Sequence, residues 1–207
     1  MLSPGSGVRL VAAMGSTPDE DLMLRYRDGD ARAFEELYAR HRGGMFRYVL
    51  RQVGFRAAAD EVFQETWMRI IASRARYRVE ARFATFLYHV AHNCVMDHFR
   101  RKAPLQLLSF DDEPDEALQV PAPASEQPEK RAQRNHAARE LLRALALLPD
   151  EQRDAFLLHE EGGLTLDEIA QVTGVGRETA KSRLRYALAK LRSELTGSGI
   201  EDEADVA

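Results

Sequence analysis

Cysteine is almost absent from this chain: Cys94 stands alone among 207 residues. One thiol excludes an intramolecular disulfide framework and any CxxC metal or redox motif, which leads to the expectation of a reducing compartment, the cytoplasm. Long apolar runs are lacking as well. The N-terminal stretch MLSPGSGVRLVAAMGSTPDED offers only Leu10 to Ala13 as a continuous apolar segment, far short of a secretory core or a membrane span, so no membrane insertion is expected. Met14 just precedes the point where structure is expected to begin, and is an alternative start. No run alternates apolar and polar residues, so no strand is predicted. There is no Walker loop, and GVGRET, residues 174–179, lacks a preceding strand and the third glycine of a dinucleotide fingerprint. A catalytic role therefore has no support, and no catalytic residue or cofactor is assigned.

What is present suffices for one ordinary domain or two small ones, with 44% hydrophobic and 30% charged residues. The formal net charge of -4 conceals a sharp division. Phe110 to Glu129 holds seven acids and no Lys or Arg, and Glu194 to Ala207 holds five acids and no base. By contrast, Gly176 to Arg192 carries six bases against Glu178, and Arg74 to Lys102 carries seven against Glu80 and Asp97. Phosphate binding responds to local potential within about 10 Å at 0.1 M salt, so the net acidity does not forbid two nucleic-acid surfaces.

Helical periodicity divides the chain. Thr17 is expected to cap a first helix with Pro18 at its first position, Glu20 completing a capping box and Gly29 as the stop. Asp30 caps a second helix through Phe34, Leu37, Tyr38 and Met45. A third spans about 57–73, with Val62, Phe63, Trp67, Ile70 and Ile71 on its core face, and a fourth runs from about Arg82 to Arg101. Pro104, Pro114, Pro121, Pro123 and Pro128 then punctuate an aperiodic acidic stretch, which reads as a mobile linker. Helices resume near Lys130, break at Pro149, and stop again at Gly162 and Gly163. The expected class is all-α: two small helical domains, 18–103 and 129–195, joined by a flexible acidic linker, 104–128. Tails at 1–17 and 196–207 flank them.

The stretch LTLDEIAQVTGVGRETAKSRLRYALAKLR, residues 164–192, has helix-turn-helix spacing. Thr165 and Glu168 form a capping box, Gly174 suits a left-handed turn, Val175 plugs it, and a longer helix begins near Arg177. On that helix Ala180, Leu184, Ala187, Leu188 and Leu191 are expected inward. Arg177, Glu178, Thr179, Lys181, Ser182, Arg185 and Tyr186 are the candidate duplex-reading set: long donors for guanine edges and phosphates, an acid for cytosine, and a hydroxyl for either.

The segment LLPDEQRDAFLLHEEGGLTLDEIAQVTGVGRETAKSRLRYALAKL resembles region 4 of extracytoplasmic-function (ECF) sigma factors, in the sigma-70 family of bacterial transcription initiation factors. AADEVFQETWMRI resembles the region 2.2 helix that docks on the polymerase clamp, and RFATFLYHVAHNCVMDHFRRK resembles the regions that melt and read the -10 element. Phe86, His92 and Glu178 stand where the family commonly has Trp, Arg and Gly, which bears on promoter sequence. The resemblance implies a factor that binds RNA polymerase core through its clamp and flap, reads duplex -35 DNA, captures the melted non-template -10 strand, and answers to an anti-sigma partner.

By that resemblance the outward residues Asp60, Glu61, Gln64, Glu65, Met68 and Arg69 of the third helix are assigned to core binding. The -10 set is Arg76, Arg78, Arg82, Tyr88, His92, Asn93, Met96, Arg100 and Arg101. Exposed aromatics among basic residues attract phosphates and stack unpaired bases, and the loop from Ala75 to Arg82 is expected to hold the flipped base. Trp67 and Cys94 are read as packing residues. The acids of the linker and tail are expected to compete with DNA for the basic faces.

Two alternatives remain beside this. A metal site on His89, His92, Cys94 and His98 lacks a third ligand on one helix face, so no metal is assigned. A helix-turn-helix regulator that binds duplex DNA without polymerase would leave the polar face of the third helix unexplained.

Overall fold

The structure, a computed structural model, describes residues 17–102 and 128–204, with side chains described over 17–101 and 136–196. The expected linker and N-terminal tail fall almost wholly outside the described residues. Among these, every regular element is helical: α1 (Asp19–Arg27), α2 (Ala31–Val53), α3 (Arg56–Ser73), a 3₁₀ turn (Arg74–Arg76), α4 (Phe83–Lys102), α5 (Pro128–Ala146), α6 (Asp150–Glu160), α7 (Leu166–Thr173) and α8 (Arg177–Ala204). The last helix passes residue 195, where an acidic tail was expected, since no proline follows to stop it.

Local chemistry sets most boundaries. The Asp30 carboxylate accepts from the Arg32 and Ala33 amides at the start of α2, and Gly54, at φ 82°, closes that helix. The capping box of Thr165 and Glu168 forms as expected, and Gly174 ends α7 at φ 68°. The start of α1 differs from expectation: its N-cap is Pro18, with no side-chain cap. Glu20 reaches across the fold instead, accepting the Phe83 amide at 2.6 Å and so capping α4. An amide at the start of a second helix outcompetes the local one because it too lacks an intrahelical partner.

Helices α1–α4 enclose one module. Phe34, Tyr38, Phe63 and Trp67 form an aromatic cluster with ring centroids 4.9–6.4 Å apart. Trp67 packs here at 5% exposure, as expected of a core residue. Helices α5–α8 form the second module around Leu157, Leu158, Ile169, Ala187 and Leu191. The modules do not stand apart. Helix α7 lies against α4 and α6 against α2. Gly44 permits the second contact, because a Cβ there would lie 3.0 Å from the Glu161 carbonyl oxygen and 3.1 Å from the Tyr88 hydroxyl.

An ion network ties α3 to the end of α4. Arg69 bonds Glu65 at 2.5 Å and Asp97 at 2.8 Å, Arg101 bonds Glu65 at 2.8 Å, and Arg100 closes on Asp97. The Arg101 guanidinium, then that of Arg69, holds the Glu65 carboxyl below its ordinary range, and Arg69 with Arg100 does the same for Asp97.

Two predictions follow from these contacts. Glu20→Ala should cost about 1 kcal/mol in urea unfolding by loss of the α4 cap, and Glu20→Gln less. Carboxylates with depressed folded pKa values stabilise the fold above their unfolded values and lose that contribution as pH falls through the folded ones. Tm followed by circular dichroism should therefore drop between about pH 5 and pH 3, and Glu65→Gln should flatten part of the drop.

Candidate nucleic-acid interface

The turn between α7 and α8 is built from sequence-local parts. Val175 donates its amide to the Ala170 carbonyl at 3.1 Å and packs partly buried on the core. This seats α8 with Ala180, Leu184, Ala187 and Leu191 inward. Leu188 was expected among them but is 42% exposed, because the neighbouring helices cover only the stripe those four residues occupy. Leu147 and Leu195 are exposed too.

Of the duplex-reading candidates, Arg177, Glu178, Thr179, Lys181, Arg185 and Tyr186 are exposed and Ser182 is half-buried. Arg177 is anchored to Asp167 of α7 at 2.9 Å, with Glu178 at 3.5 Å. Lys181 sits 3.6 Å from Glu178, and the Arg185 guanidinium lies 4.9 Å from the Tyr186 ring centroid. These are exposed pairs with weak mutual hold, so the donors are cheap to redirect towards phosphate or base edges.

On the first module, the loop after α3 and the start of α4 form an open groove of about 450 Å³ lined by Ser73, Arg76, Tyr77, Arg78, Glu80 and Phe86. An aromatic floor with arginines on its rim suits a base and its phosphate. The Tyr77 hydroxyl is buried without a hydrogen-bond partner, and burial, then the nearby Glu20 and Asp19, pushes its pKa up to about 12. An adjoining smaller groove is lined by Thr85 and His89 as well, and by Gln171 from α7.

Arg76, Arg78, Arg82, Asn93, Arg100 and Arg101 are exposed and Met96 is half-buried. Two members of that set differ from expectation. Tyr88 is 2% exposed and donates to the Glu161 carbonyl oxygen at 2.6 Å. His92 is also largely covered, its Nδ1 3.0 Å from an Asp154 carboxylate oxygen but outside hydrogen-bond geometry. The second module lies over both residues, a contact that the periodicity of α4 cannot report.

The polar face of α3 behaves unevenly. Glu61, Gln64 and Met68 are exposed, Met68 at 64%, and Asp60 is half-buried 3.7 Å from Arg56. Glu65 and Arg69 belong to the network that braces α4. Among the described residues, no group of three or more His, Cys, Asp or Glu side chains is arranged to hold a metal ion.

Sequence reasoning passed over the residues that join the modules. Asp154, buried on α6, accepts from the Tyr48 hydroxyl at 2.8 Å and the Gln52 amide at 2.6 Å, both on α2. Glu161 takes Arg47 at 2.8 Å and also pairs with Arg51. Glu168 accepts from Thr85 at 2.8 Å and lies 3.4 Å from Arg82. Burial opposes ionisation of Glu168, yet the bonds from Thr165 and Thr85 hold its pKa below the ordinary value. One signal was available: Gly43 and Gly44 sit inside a helix, where each glycine costs about 1 kcal/mol relative to alanine. At Gly44 the close approach of α6 explains that cost.

Comparison with known proteins agrees with this geometry. The signature described as Sigma-70 region 2 matches residues 37–104, and that of Sigma-70, region 4 matches residues 138–191. RNA polymerase sigma factor CarQ of Myxococcus xanthus is 33% identical over 84% of this chain and 95% of its own. RNA polymerase sigma-H factor of Pseudomonas aeruginosa is 28% identical over 80% of this chain and 88% of its own. Further relatives bear the designation ECF RNA polymerase sigma factor. The fold resembles that of the sigma factor RpoE in its complex with the anti-sigma factor NepR from Bartonella quintana, with a TM-score of 0.64, 19% identity, and coverage of 79% of this chain and 96% of that one. With both regions matched in order and a 33% identical relative spanned over nearly its whole length, the chain belongs to the ECF group of the sigma-70 family, the factors that direct RNA polymerase to promoters.

Proposed function

We propose that this chain performs its promoter-directing role through three separate faces, acts without catalysis of its own, and works in the cytoplasm. The observation that carries the reading is the exposed polar face of α8 above a capped, glycine-closed turn, in a chain that also matches region 2. The proposed region 2 module is 18–103 and the region 4 module 129–195.

Residues Arg177, Glu178, Thr179, Lys181, Ser182, Arg185 and Tyr186 read the duplex -35 element from the major groove. Arg76, Arg78, Arg82, Asn93, Met96, Arg100 and Arg101 form the -10 surface around the groove at Tyr77 and Phe86, and Tyr88 and His92 join it when uncovered. Asp60, Glu61, Gln64 and Met68 meet the polymerase clamp, with Glu65 and Arg69 holding α3 in register against α4. An anti-sigma partner is expected, since the similar RpoE structure contains NepR. A duplex-binding regulator independent of polymerase fits less well: it gives no use to Met68, a methionine 64% exposed on an otherwise polar helix face.

The test is reconstitution with purified core enzyme on genomic fragments, reading specific initiation. Strong duplex binding that core enzyme neither changes nor converts to transcription would overturn the reading. Arg185→Ala should weaken -35 duplex binding by about 1–3 kcal/mol and leave core affinity unchanged. Met68→Glu should do the reverse, lowering core affinity while duplex affinity stays constant.

A further inference from the structure

Helix α8 begins against its own electrostatics. Arg177 is its first residue, so a guanidinium stands at the positive end of the helix dipole, where a cation is unfavourable. Gly176 before it accepts the Ala180 amide at 3.0 Å and has no side chain with which to cap the helix. A carboxylate from another helix answers the charge. Oδ1 of Asp167, in the first turn of α7, lies 2.9 Å from Arg177 Nε. The adjacent Glu178 lies 3.5 Å from Arg177 Nη1 and 3.6 Å from Lys181 Nζ, between the two cations and too far from either to hold it. Asp167 therefore occupies the inner nitrogen of the guanidinium and leaves the outer fork, Nη1 and Nη2, for another acceptor pair.

We propose that Asp167 is a positioning residue of the duplex-reading face, holding Arg177 by Nε so that its Nη1–Nη2 fork reads a single guanine. The proposal rests on assigning the exposed face of α8 to the -35 duplex. Guanine presents O6 and N7 side by side in the major groove, the acceptor pair that such a fork matches, and the first residues of a recognition helix are those nearest the base edges. A phosphate contact suits the pair less well. The carboxylate cancels the charge that would attract phosphate and release counterions, and its own charge repels the DNA backbone. Asp167 thus acts twice: it orients the fork, and it penalises any register in which a phosphate rather than a base edge faces Arg177. The pair is exposed, with side chains 54% and 72% accessible, so it is weak in water. Closing the groove over it removes that water and strengthens it where discrimination is made.

The test combines the full chain with core enzyme on promoters whose upstream element is randomised, and sequences the transcripts to obtain a base preference at each position. The native chain should favour guanine at one position by about tenfold, and Arg177→Ala should abolish that preference alone. Asp167→Asn should weaken it several-fold at the same position and raise output from promoters lacking that guanine, because a charge opposed to phosphate is gone. Asp167→Glu, which keeps a carboxylate, should retain part of the preference. The double variant Asp167→Asn with Arg177→Ala should match Arg177→Ala alone, the non-additivity of a residue that acts through another. Circular dichroism should show native helix in all of them. Output that Arg177→Ala lowers equally on every sequence makes Arg177 a phosphate contact and overturns the proposal. A profile that Asp167→Asn leaves unchanged, or relaxes at every position alike, overturns the positioning role. If Arg185→Ala changes the profile while neither Arg177→Ala nor Asp167→Asn does, the proposal falls and the -35 assignment stands. A profile insensitive to all three overturns the assignment, and the proposal with it.

Discussion

A carboxylate removed from water must find donors, and Asp154 finds them on the other module. Tyr48 and Gln52 bind one of its oxygens and His92 stands beside the other. Burial and the adjacent Asp154 charge both push the Tyr48 pKa upward, so the phenol stays protonated and remains a donor. Around this point the rest of the arrangement is determined: α6 must lie against α2, which needs the missing side chain at Gly44, and α7 then lies over α4. Which groups of the proposed -10 surface are exposed follows from that placement.

The division of charge acquires a structural meaning in the same way. The chain's acidity does not compromise α8, whose exposed face keeps Arg177, Lys181 and Arg185. The acids that reach across to the other module, Asp154, Glu161 and Glu168, lie on α6, α7 and the turn between them. The linker acids from Asp111 to Glu116, expected to shield the basic faces, lie outside the described residues. The two proposed DNA surfaces therefore differ: the polar face of α8 is presented directly, whereas part of the face of α4 is covered by the other module.

Much of the fold was legible because helix ends obey short-range chemistry. Asp30, Thr165 with Glu168, Gly54 and Gly174 all act within a few residues of themselves. Trp67 and Cys94 were legible as core from helical spacing. The failures share one cause. Glu20 looked like a local cap and serves a helix whose first residue is 63 positions away; Tyr88 and His92 looked outward on α4 and are covered from outside their module; Leu188 looked inward on α8 and is 42% exposed.

The sequence by itself determined the class of the chain, the order of its helices, the helix-turn-helix and the two basic regions, since each is encoded by residues within a few turns of one another. Only the tertiary structure decided which face of α4 is available and which acids answer its donors. Tyr48 and Asp154 are 106 residues apart, and no periodicity within either helix reports the other. A buried carboxylate and its donors are related by geometry alone, and that relation exists only once the two modules have met.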